Sequence, residues 1–520
     1  MIGGILLSFV LLSVGSATRE SLTYDEIVHS QEGLNHLQKQ TFAIDTYNPP
    51  LIRELQMLAV ALGSKTEKLF VSRLVTVALG LVLLISVYLT TRKHFGAGIG
   101  LFALFFLAFE PNFLGHSHYV TLDIGTALFF FLAYISLLRF WEHPNLSRTV
   151  LFGVAFGLAL ASRVIVIPYL AVSAALLLFH SPFKNALNST GDKLRLPGRM
   201  PKFLIAVGIA FFVVWATYFF RWDVVIAQGG GPGRVSRQLK NSAIARQFAA
   251  LELSITFLEN RPLPLGNYLA TVKNLYLRGT QNSQRPAWYE LLINILLKTP
   301  IPLLLLVLFA LLKAKKGKML FAAPIIGVLG VSVVTGMDPR IRYILPVYPF
   351  LAVVAAVGVK EFRASLSARR GVYGSLVLGV LFVWYAGGAL LQYPHFISYA
   401  NEFVPHAQRY MYFTDSNIDW GQALPDIKLY INEHKSSHVS FSYFGRDNGN
   451  DYGLVSNREW GSYKFEEICA FHEIALPNEG KRLVAISVSN WYGCGYNTQT
   501  QYAQKNIQEV IADSVLIFTN

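Results

Sequence analysis

Charged residues are scarce in this chain of 520 residues: 15% are charged, whereas 53% are hydrophobic. Soluble globular proteins contain about 25% charged residues, so the deficit excludes an ordinary soluble fold over most of the length. Cysteine is almost absent as well, because Cys469 and Cys494 are the two copies, too few for a disulfide framework. A single bond between them or two free thiols remain the alternatives, and we expect the bond.

Signatures of nucleic acid and nucleotide binding are also missing. The net charge of +14 would suit nucleic acid, but the Lys and Arg residues fall in short loops between apolar segments and form no basic tract interleaved with aromatic residues. The glycine-rich run at 229–233 lacks the preceding strand and the following helix with Lys-Ser/Thr that a phosphate-binding loop needs. We therefore exclude nucleic acid as a partner and interpret the glycine-rich run as a loop.

Long apolar runs are abundant. A bilayer-spanning helix needs about 20 predominantly apolar residues, and about eleven segments approach or reach this length. They are residues 2–17, 69–91, 97–112, 122–141, 149–163, 164–180, 203–221, 289–312, 319–336, 343–359 and 372–391. The sequence therefore predicts an α-helical polytopic membrane protein with about 11 transmembrane helices, within a domain of residues 1–391.

The basic loops predict the orientation of these helices. Lys and Arg favour the cytoplasmic side, and the loops at 92–93, 139–148, 184–202, 313–318 and 360–370 share one side if the N-terminus is cytoplasmic. Segment 2–17 ends in small residues typical of signal-peptide cleavage, but no positively charged segment precedes it. We favour a retained helix and keep cleavage as the alternative. In either case loops 18–68 and 222–288 are expected on the non-cytoplasmic side.

Residues 392–520 have the pattern of a soluble domain. Segments 438–444, 482–489 and 514–519 have the composition of short strands, and segments 422–434 and 499–510 have helical periodicity. We predict a small C-terminal α/β domain on the non-cytoplasmic side of the membrane.

Adjacent carboxylates follow the first apolar segment. Asp25 and Glu26 lie in the first outer loop, and Asp123 lies at the outer end of an apolar helix. A helix cap or a solvated loop pair would explain Asp25 and Glu26 in an arbitrary loop. At a membrane boundary, however, ionisable residues that face a cavity are functional candidates. We predict that all three converge on one pocket as catalytic residues, one of them acting as a general base.

Two histidines raise the question of a metal. His116 and His118, together with Asp123, could hold a cation, but two histidines without a third nearby ligand are weak evidence. We therefore predict hydrogen bonding at the interface and no metal site. The need for a divalent cation stays open.

Cations on the outer side complement the acids. Arg163 interrupts an apolar run, Lys298 lies within another, and the last outer turn contains two arginines and a tyrosine: Arg340, Arg342 and Tyr343. Snorkelling to lipid headgroups or pairing with the acids are the alternatives. Because Arg binds phosphate oxygens bidentately, we predict that this set binds a lipid phosphate or its sugar.

Short motifs in a defined order resemble one enzyme superfamily. They are Tyr24-Asp25-Glu26, Asn48-Pro49-Pro50-Leu51 and Thr121-Leu122-Asp123, followed by Arg261-Pro262-Leu263-Pro264, Lys298-Thr299-Pro300, Arg342-Tyr343-Ile344-Leu345-Pro346 and Asp415-Ser416-Asn417-Ile418-Asp419-Trp420-Gly421-Gln422. The set resembles the GT-C membrane glycosyltransferases, in the branch of dolichyl-phosphate-mannose protein mannosyltransferases and bacterial aminoarabinose transferases.

The resemblance implies transfer of a sugar from a polyprenyl-phosphate donor on the non-cytoplasmic face of a membrane, expected to be bacterial. It implies that Asp25 is the general base, with Glu26 and Asp123 beside it. Structural roles are assigned to Asn48, Pro49, Pro50, Asp415, Asp419 and Trp420. A glycosyl phosphate already carries a good leaving group, so one base and several cations suffice for single displacement with inversion.

The acceptor is left open as a protein, a lipid or a glycan. The chain lacks a Trp-Trp-Asp-Tyr-Gly motif and β-trefoil repeats, which separates it from oligosaccharyltransferase subunits and eukaryotic protein mannosyltransferases. A transporter or flippase for a lipid-linked or anionic substrate is the principal alternative, and a receptor-like membrane protein is another. Transporters place charges near helix centres and often show repeat symmetry, whereas the unusual charges here cluster at outer helix ends.

Overall fold

The computed structural model describes residues 1–42, 47–63, 68–178, 196–225, 261–281, 286–313, 318–366, 371–460, 465–476, 482–503 and 506–519. Its N-terminal helices are α1 Ile2–Ala17, α2 Glu26–Lys39, α3 Leu51–Ala61, α4 Lys68–Phe95, α5 Ala97–Ala108, α6 Pro111–His116, α7 Asp123–Glu142, α8 Leu146–Ser162, α9 Val166–Leu178 and α10 Leu196–Thr217. Then follow α11 Gly266–Gln281, α12 Trp288–Lys298, α13 Ile301–Lys313, α14 Lys318–Thr335, α15 Tyr348–Ala364 and α16 Gly371–Leu391. Most of the predicted loop 222–288 lies outside the described residues.

Several of these helices can span a membrane. Within the described ranges, five are long and apolar enough: Leu69–Phe95, Asp123–Glu142, Arg199–Thr217, Ile341–Ala364 and Val372–Leu391. The pair α12 and α13, bent by 112°, passes as a sixth span, and the shorter apolar helices are Ile2–Ala17, Ala97–Ala108, Leu146–Ser162, Val166–Leu177 and Leu320–Thr335. The helical membrane class is therefore confirmed, while the count of eleven spans and their orientation stay predictions.

Local sequence explains where several helices begin and bend. Pro300 separates α12 from α13, because proline disfavours helical geometry in the residue before it and cannot donate a main-chain hydrogen bond. At α6, the Glu110 carboxylate accepts a hydrogen bond from the Phe113 N–H at 2.6 Å. At α8, Asn145 Oδ1 accepts one from the Arg148 N–H at 2.9 Å. Both side chains satisfy amide donors that a helix start leaves free.

The C-terminal region forms a five-stranded sheet. Its helices are α17 Leu424–Glu433, α18 Phe465–Ile468, α19 Val488–Gly493 and α20 Thr500–Ala503, and its strands are β3 His438–Ser442, β4 Phe471–Ala475, β5 Arg482–Ser487, β6 Glu509–Ile511 and β7 Val515–Thr519. The strand order is β4-β3-β5-β7-β6, with β3 and β5 parallel and the other pairs antiparallel. A short antiparallel pair, β1 Trp222–Asp223 and β2 Leu263–Pro264, lies earlier in the chain.

Both faces of this sheet are covered. Along β5, Leu483 and Ala485 pack on the side of α17, whereas Val484 and Ile486 pack in a second cluster with Trp491. Successive strand residues point to opposite faces, so a sheet buried on both faces has the continuous apolar run that β5 shows. The predicted strands over 438–444, 482–489 and 514–519 and the helix over 422–434 correspond to β3, β5, β7 and α17.

One secondary-structure prediction is wrong. Of the predicted helix over 499–510, Thr500–Ala503 forms the short helix α20, whereas Glu509 begins the strand β6. The Glu509–Ile511 strand pairs with β7 through the register Glu509↔Ile517 and Ile511↔Val515. Local periodicity cannot reveal this pairing, because a three-residue edge strand is defined by its neighbour. The expected disulfide between Cys469 and Cys494 is present.

Candidate active site

A polar cavity of about 360 Å³ opens where the loop before α2 meets two later segments of the chain, around residues 340–343 and 415–420. This volume is within the usual range of ligand sites, about 300–1,000 Å³. Acidic, basic and aromatic side chains share the wall. The lining residues are Tyr24, Asp25, Val28, His29, Tyr47, Asn48, Arg163, Leu275, Arg340, Arg342, Tyr343, Asp415 and Trp420.

Asp25 presents a carboxylate to this cavity. The loop that carries it is fixed by a main-chain hydrogen bond from the Tyr24 N–H to the Trp420 carbonyl at 2.9 Å. Asp25 Oδ2 accepts a hydrogen bond from Arg342 Nη1 at 2.5 Å. Burial raises the pKa of the Asp25 carboxyl, but the charges of Arg342 and its neighbours outweigh burial and lower the pKa to about 2. Asp25 is therefore an ion-paired carboxylate at neutral pH.

Arg342 lies between two aromatic rings. Its guanidinium carbon is 4.6 Å from the ring centre of Trp420 and 4.8 Å from that of Tyr343, and Nη2 donates a hydrogen bond to the Tyr343 hydroxyl at 3.0 Å. The buried Nε has no hydrogen-bond partner among the described residues. A guanidinium that packs against two aromatic rings at a cavity wall is well placed to bind an oxyanion.

Arg163 approaches Tyr343 from another side. Its guanidinium lies 5.4 Å from the Tyr343 ring centre, and Nη2 donates to Asp123 Oδ1 at 2.8 Å. Asp123 itself is buried and is not among the lining residues. The predicted convergence of Asp25 and Asp123 is thus indirect, because each binds an arginine of the cavity wall.

Arg340 also lines the polar cavity. Its guanidinium donates to both carboxylate oxygens of Asp338, with 2.6 Å between Nε and Oδ1, and Nη1 lies 2.5 Å from Asp415 Oδ1. Arg340 and Asp415 also line a neighbouring polar cavity of about 510 Å³. Because two carboxylates already neutralise Arg340, it is less available than Arg342 for a substrate phosphate.

Glu26 lies outside the cavity lining, although we predicted a catalytic role for it. Its two carboxylate oxygens accept from Arg73 Nε at 2.9 Å and Nη2 at 2.7 Å, and further hydrogen bonds come from the main-chain N–H groups of Thr23 at 2.8 Å and Val120 at 2.9 Å. Its side chain is fully buried. With these oxygens engaged, Glu26 has the contacts of a residue that fixes the loop next to Asp25.

Lys298 is also displaced from its predicted role. Its side chain is buried, and Nζ donates to the main-chain carbonyls of Ile397 at 2.7 Å and Asn417 at 2.6 Å. It is not among the residues that line the polar cavity. The ammonium joins the end of α12 to the C-terminal region, because these carbonyls satisfy a charge that would otherwise be costly to bury.

The histidines do not converge on Asp123. His118 Nε2 lies 2.7 Å from Glu20 Oε2 and Nδ1 lies 3.1 Å from the Leu114 carbonyl, whereas His116 Nδ1 is 3.9 Å from Asp123 Oδ2. Within the described ranges, no group of three or more His, Cys, Asp or Glu side chains has metal-binding geometry. His118 thus has hydrogen-bond contacts with Glu20 and Leu114, and its position at the membrane interface stays a prediction.

The Asn-Pro-Pro segment shapes the edge of the cavity. Asn48 lines it, and Pro50 immediately precedes α3. Pro49 lies between them and is buried. Two successive prolines restrict the chain before α3 to a few conformations, which fixes the side chain of Asn48 at the rim.

Asp419 gives stability a pH dependence. Burial raises its pKa to about 7 despite hydrogen bonds from the Ser489 N–H at 2.8 Å and the Gly421 N–H at 3.3 Å. The folded protein therefore keeps the Asp419 carboxyl protonated at pH values where the unfolded chain, with the ordinary pKa of 3.8, has lost the proton. The contribution of this protonated carboxyl to the free energy of unfolding is complete below pH 3.8 and is lost as the pH rises through the folded-state pKa of about 7.

We expect wild-type stability to fall relative to Asp419→Asn by roughly 1 kcal/mol per pH unit from about pH 5 to about pH 7. Thermal unfolding of the two purified proteins across this range measures the difference. A difference that stays constant with pH would contradict the assignment.

A separate cavity of about 400 Å³ lies among α7, α8, α9 and α10. Its lining is apolar, with Trp141, Phe152, Phe156 and Phe203 among the aromatic members. None of the described residues that line it has a titratable side chain that could transfer a proton. The polar cavity is therefore the candidate active site.

Some contacts at the site were missed by sequence reasoning. The Arg446 guanidinium lies 4.0 Å from the ring centre of Tyr24 and donates to its hydroxyl at 2.7 Å, while Phe444 stacks on the same ring at 5.1 Å. Arg73, the partner of Glu26, was also missed. Arg73 lies within an apolar run, a signal that was available, whereas the approach of residues 444–446 to Tyr24 depends on the tertiary fold.

The family comparison covers about a third of the chain and two of the motifs. Residues 47–218 match the family model described as dolichyl-phosphate-mannose-protein mannosyltransferase. This match confirms the predicted resemblance to membrane glycosyltransferases. It includes Asn48, Asp123 and Arg163, whereas Asp25 and Arg342 lie outside the matched range. A comparison with curated proteins finds no match.

Solved structures that match include three membrane enzymes. The apo oligosaccharyltransferase of Archaeoglobus fulgidus has 16% identity and a TM-score of 0.47, over 75% of this chain and 55% of that chain. The S. cerevisiae protein O-mannosyltransferase Pmt1-Pmt2 complex bound to the sugar donor has 18% identity and a TM-score of 0.37, over 42% of this chain and 33% of that chain. Apo ArnT from Cupriavidus metallidurans has 13% identity and a TM-score of 0.33, over 99% of this chain and 97% of that chain. This chain thus spans about half of the archaeal chain and a third of the matched yeast chain.

Proposed function

We propose that this protein is a glycosyltransferase that moves a sugar from a polyprenyl-phosphate donor to an acceptor hydroxyl at the non-cytoplasmic face of the membrane. The observation that carries the proposal is the contact between Asp25 and Arg342 at the wall of the polar cavity. It places a carboxylate suited to accept a proton beside a guanidinium suited to bind a phosphate.

The proposed reaction is a single displacement. The acceptor hydroxyl gives its proton to Asp25, and its oxygen forms a bond to the anomeric carbon as the bond from that carbon to the phosphate oxygen breaks. The electron pair leaves with the polyprenyl phosphate, whose charge Arg342 and Arg163 stabilise. The sugar is therefore inverted at the anomeric carbon, and no leaving-group acid is required.

The distribution of contacts supports a division of labour among the basic residues. Arg342 retains an N–H without a partner among the described residues, whereas Arg340 is paired with Asp338 and Asp415. Arg163 shares Tyr343 with Arg342. We therefore assign the phosphate to Arg342 and Arg163, and a wall-building role to Arg340.

A donor assay tests this function without knowledge of the acceptor. Purified protein is incubated with envelope extract and a panel of polyprenyl-phosphate sugars, and mass spectrometry follows the release of polyprenyl phosphate. We expect release from at least one donor, with transfer of its sugar to extract material. Absence of release across mannosyl, glucosyl, galactosyl and pentosyl donors would contradict the proposal.

Lys298 and Arg342 provide a matched comparison for donor binding. Arg342→Gln is expected to weaken donor binding about 10- to 100-fold, since hydrogen bonds to charged groups contribute about 1.5–3 kcal/mol. In monodisperse Lys298→Gln protein the donor Kd should stay within about twofold of wild type, because that ammonium binds main-chain carbonyls. Calorimetry on both variants measures these values. Equal losses in the two would contradict the assignment of the phosphate to Arg342.

A further inference from the structure

Arg342 has two competing uses in the proposed reaction. It holds the Asp25 carboxylate through the 2.5 Å contact, and it is the guanidinium best placed to bind a phosphate. A carboxylate engaged with a guanidinium is a weak base, because the cation stabilises its ionised form. The ion pair with Arg342 therefore keeps the proposed base inactive.

We propose that the phosphate group of the donor displaces Asp25 from Arg342, so that donor binding itself releases the general base. This inference rests on the proposed function. It adds an order of events in which the base becomes competent only when a phosphate occupies the guanidinium.

The geometry around Arg342 permits this exchange with little movement. The guanidinium carbon lies 4.6 Å from the ring centre of Trp420 and 4.8 Å from that of Tyr343, so the cation can change partners while it stays against the same rings. Nη1, which binds Asp25, and Nη2, which binds the Tyr343 hydroxyl, form one edge of the guanidinium. A phosphate that replaces Asp25 on Nη1 can therefore bind Nη2 as well, giving the two parallel hydrogen bonds that guanidinium and phosphate favour.

The position of Asp25 also suits release. Its side chain is 26% exposed, whereas that of Arg342 is 9% exposed, so the carboxylate is the more accessible partner. The adjacent Glu26 is anchored by Arg73 and by two main-chain N–H groups. The loop therefore keeps its place when the Asp25 side chain loses its contact.

If Asp25 and the donor phosphate compete for Arg342, each anion weakens the binding of the other to the guanidinium. Removing the charge of Asp25 should tighten phosphate binding, because the ligand no longer competes for Arg342. Asp25→Asn is then expected to abolish turnover and to improve binding of the ligand phosphate at the same time. A purely structural role for the ion pair predicts the opposite, since loss of the pair would disorder the site and weaken binding.

The test measures binding of farnesyl phosphate to full-length protein by calorimetry, with intrinsic tryptophan fluorescence as a second readout. We expect Asp25→Asn to lower the Kd on the order of tenfold. Asp223→Asn is the matched control, because Asp223 also pairs with an arginine, Arg221 at 3.3 Å, outside the cavity. Its Kd should equal that of wild type, and unchanged or weaker binding by Asp25→Asn would overturn the proposal.

A double-mutant cycle separates the exchange from simple repulsion between Asp25 and the phosphate. In the Arg342→Gln background, Asp25→Asn should change the Kd by less than about twofold. A tenfold gain that persists there would show direct repulsion and overturn the proposal. Arg342→Lys serves as the second background if Arg342→Gln does not fold.

Three ligands identify the recognised group. Farnesyl phosphate and inorganic phosphate should both show the gain in Asp25→Asn, the latter at lower affinity, and farnesol should show none. A gain with farnesol would overturn the proposal, because the lipid chain would then be responsible. These results distinguish failure of the exchange from failure of the proposed function. If Asp25→Asn binds phosphate more tightly but the wild-type protein transfers no sugar, the exchange stands and the proposed function fails. If Asp25→Asn loses sugar transfer without tighter phosphate binding, the proposed function stands and the exchange fails.

Discussion

Asp25→Asn is expected to lower the rate of sugar transfer by about 10²–10⁴-fold, the usual contribution of a general base. Asparagine keeps the shape of the side chain and can still accept a hydrogen bond from Arg342, but its amide cannot take the proton of an acceptor hydroxyl. The loss should appear in kcat with donor binding retained or improved. Turnover in detergent or proteoliposomes, measured at saturating donor, checks this result.

The control for this variant is Asp223→Asn, which removes a carboxylate from an Arg–Asp pair outside the cavity. It should transfer sugar at the wild-type rate. Both variants should insert into membranes and elute as monodisperse protein. Wild-type turnover by Asp25→Asn would remove Asp25 from the chemistry.

Glu26→Gln should cost the fold about 3–5 kcal/mol of unfolding free energy, the range observed when one partner of a buried ion pair is removed. The physical reason is Arg73, which is fully buried and donates to both Glu26 oxygens and to the main-chain carbonyls of Ala17, Glu20 and Ser21. Without the carboxylate, a buried guanidinium keeps its charge and loses its counter-ion.

Thermal unfolding and the yield of monodisperse protein measure this loss. The double variant Glu26→Gln with Arg73→Met should be more stable than Glu26→Gln alone, since it removes the charge that the single variant leaves unpaired. A Glu26→Gln protein as stable as wild type, yet inactive, would instead indicate a direct catalytic role for Glu26.

Composition and charge pattern were sufficient to predict the membrane class. Runs such as 69–91 and 372–391 are long and uniformly apolar, and each forms a helix that can span a bilayer. The strands β3, β5 and β7 could also be located, because β5 and β7 are rich in branched residues and the apolar Val439 and Phe441 alternate with polar residues in β3. The strand Glu509–Ile511 could not, since its conformation depends on pairing with β7.

At the site, the sequence predicted which residue types matter more reliably than which of them touch. Asp25, Arg163, Arg340, Arg342 and Tyr343 all line the polar cavity. In the sequence Lys298 has the same pattern as these cations, but its ammonium donates hydrogen bonds to the main-chain carbonyls of Ile397 and Asn417. Which charges face a cavity and which are satisfied in the interior depends on contacts between distant segments, and a linear pattern does not contain them.

The most direct measurement is a structure of the wild-type protein with a non-hydrolysable polyprenyl phosphonate sugar. We predict that the phosphonate oxygens lie within about 3.2 Å of the Arg342 guanidinium, with Arg163 close by. Asp25 should be free of Arg342 and should face the anomeric carbon across the space for an acceptor hydroxyl. A phosphonate bound outside this cavity, or a sugar directed away from Asp25, would contradict the proposed function.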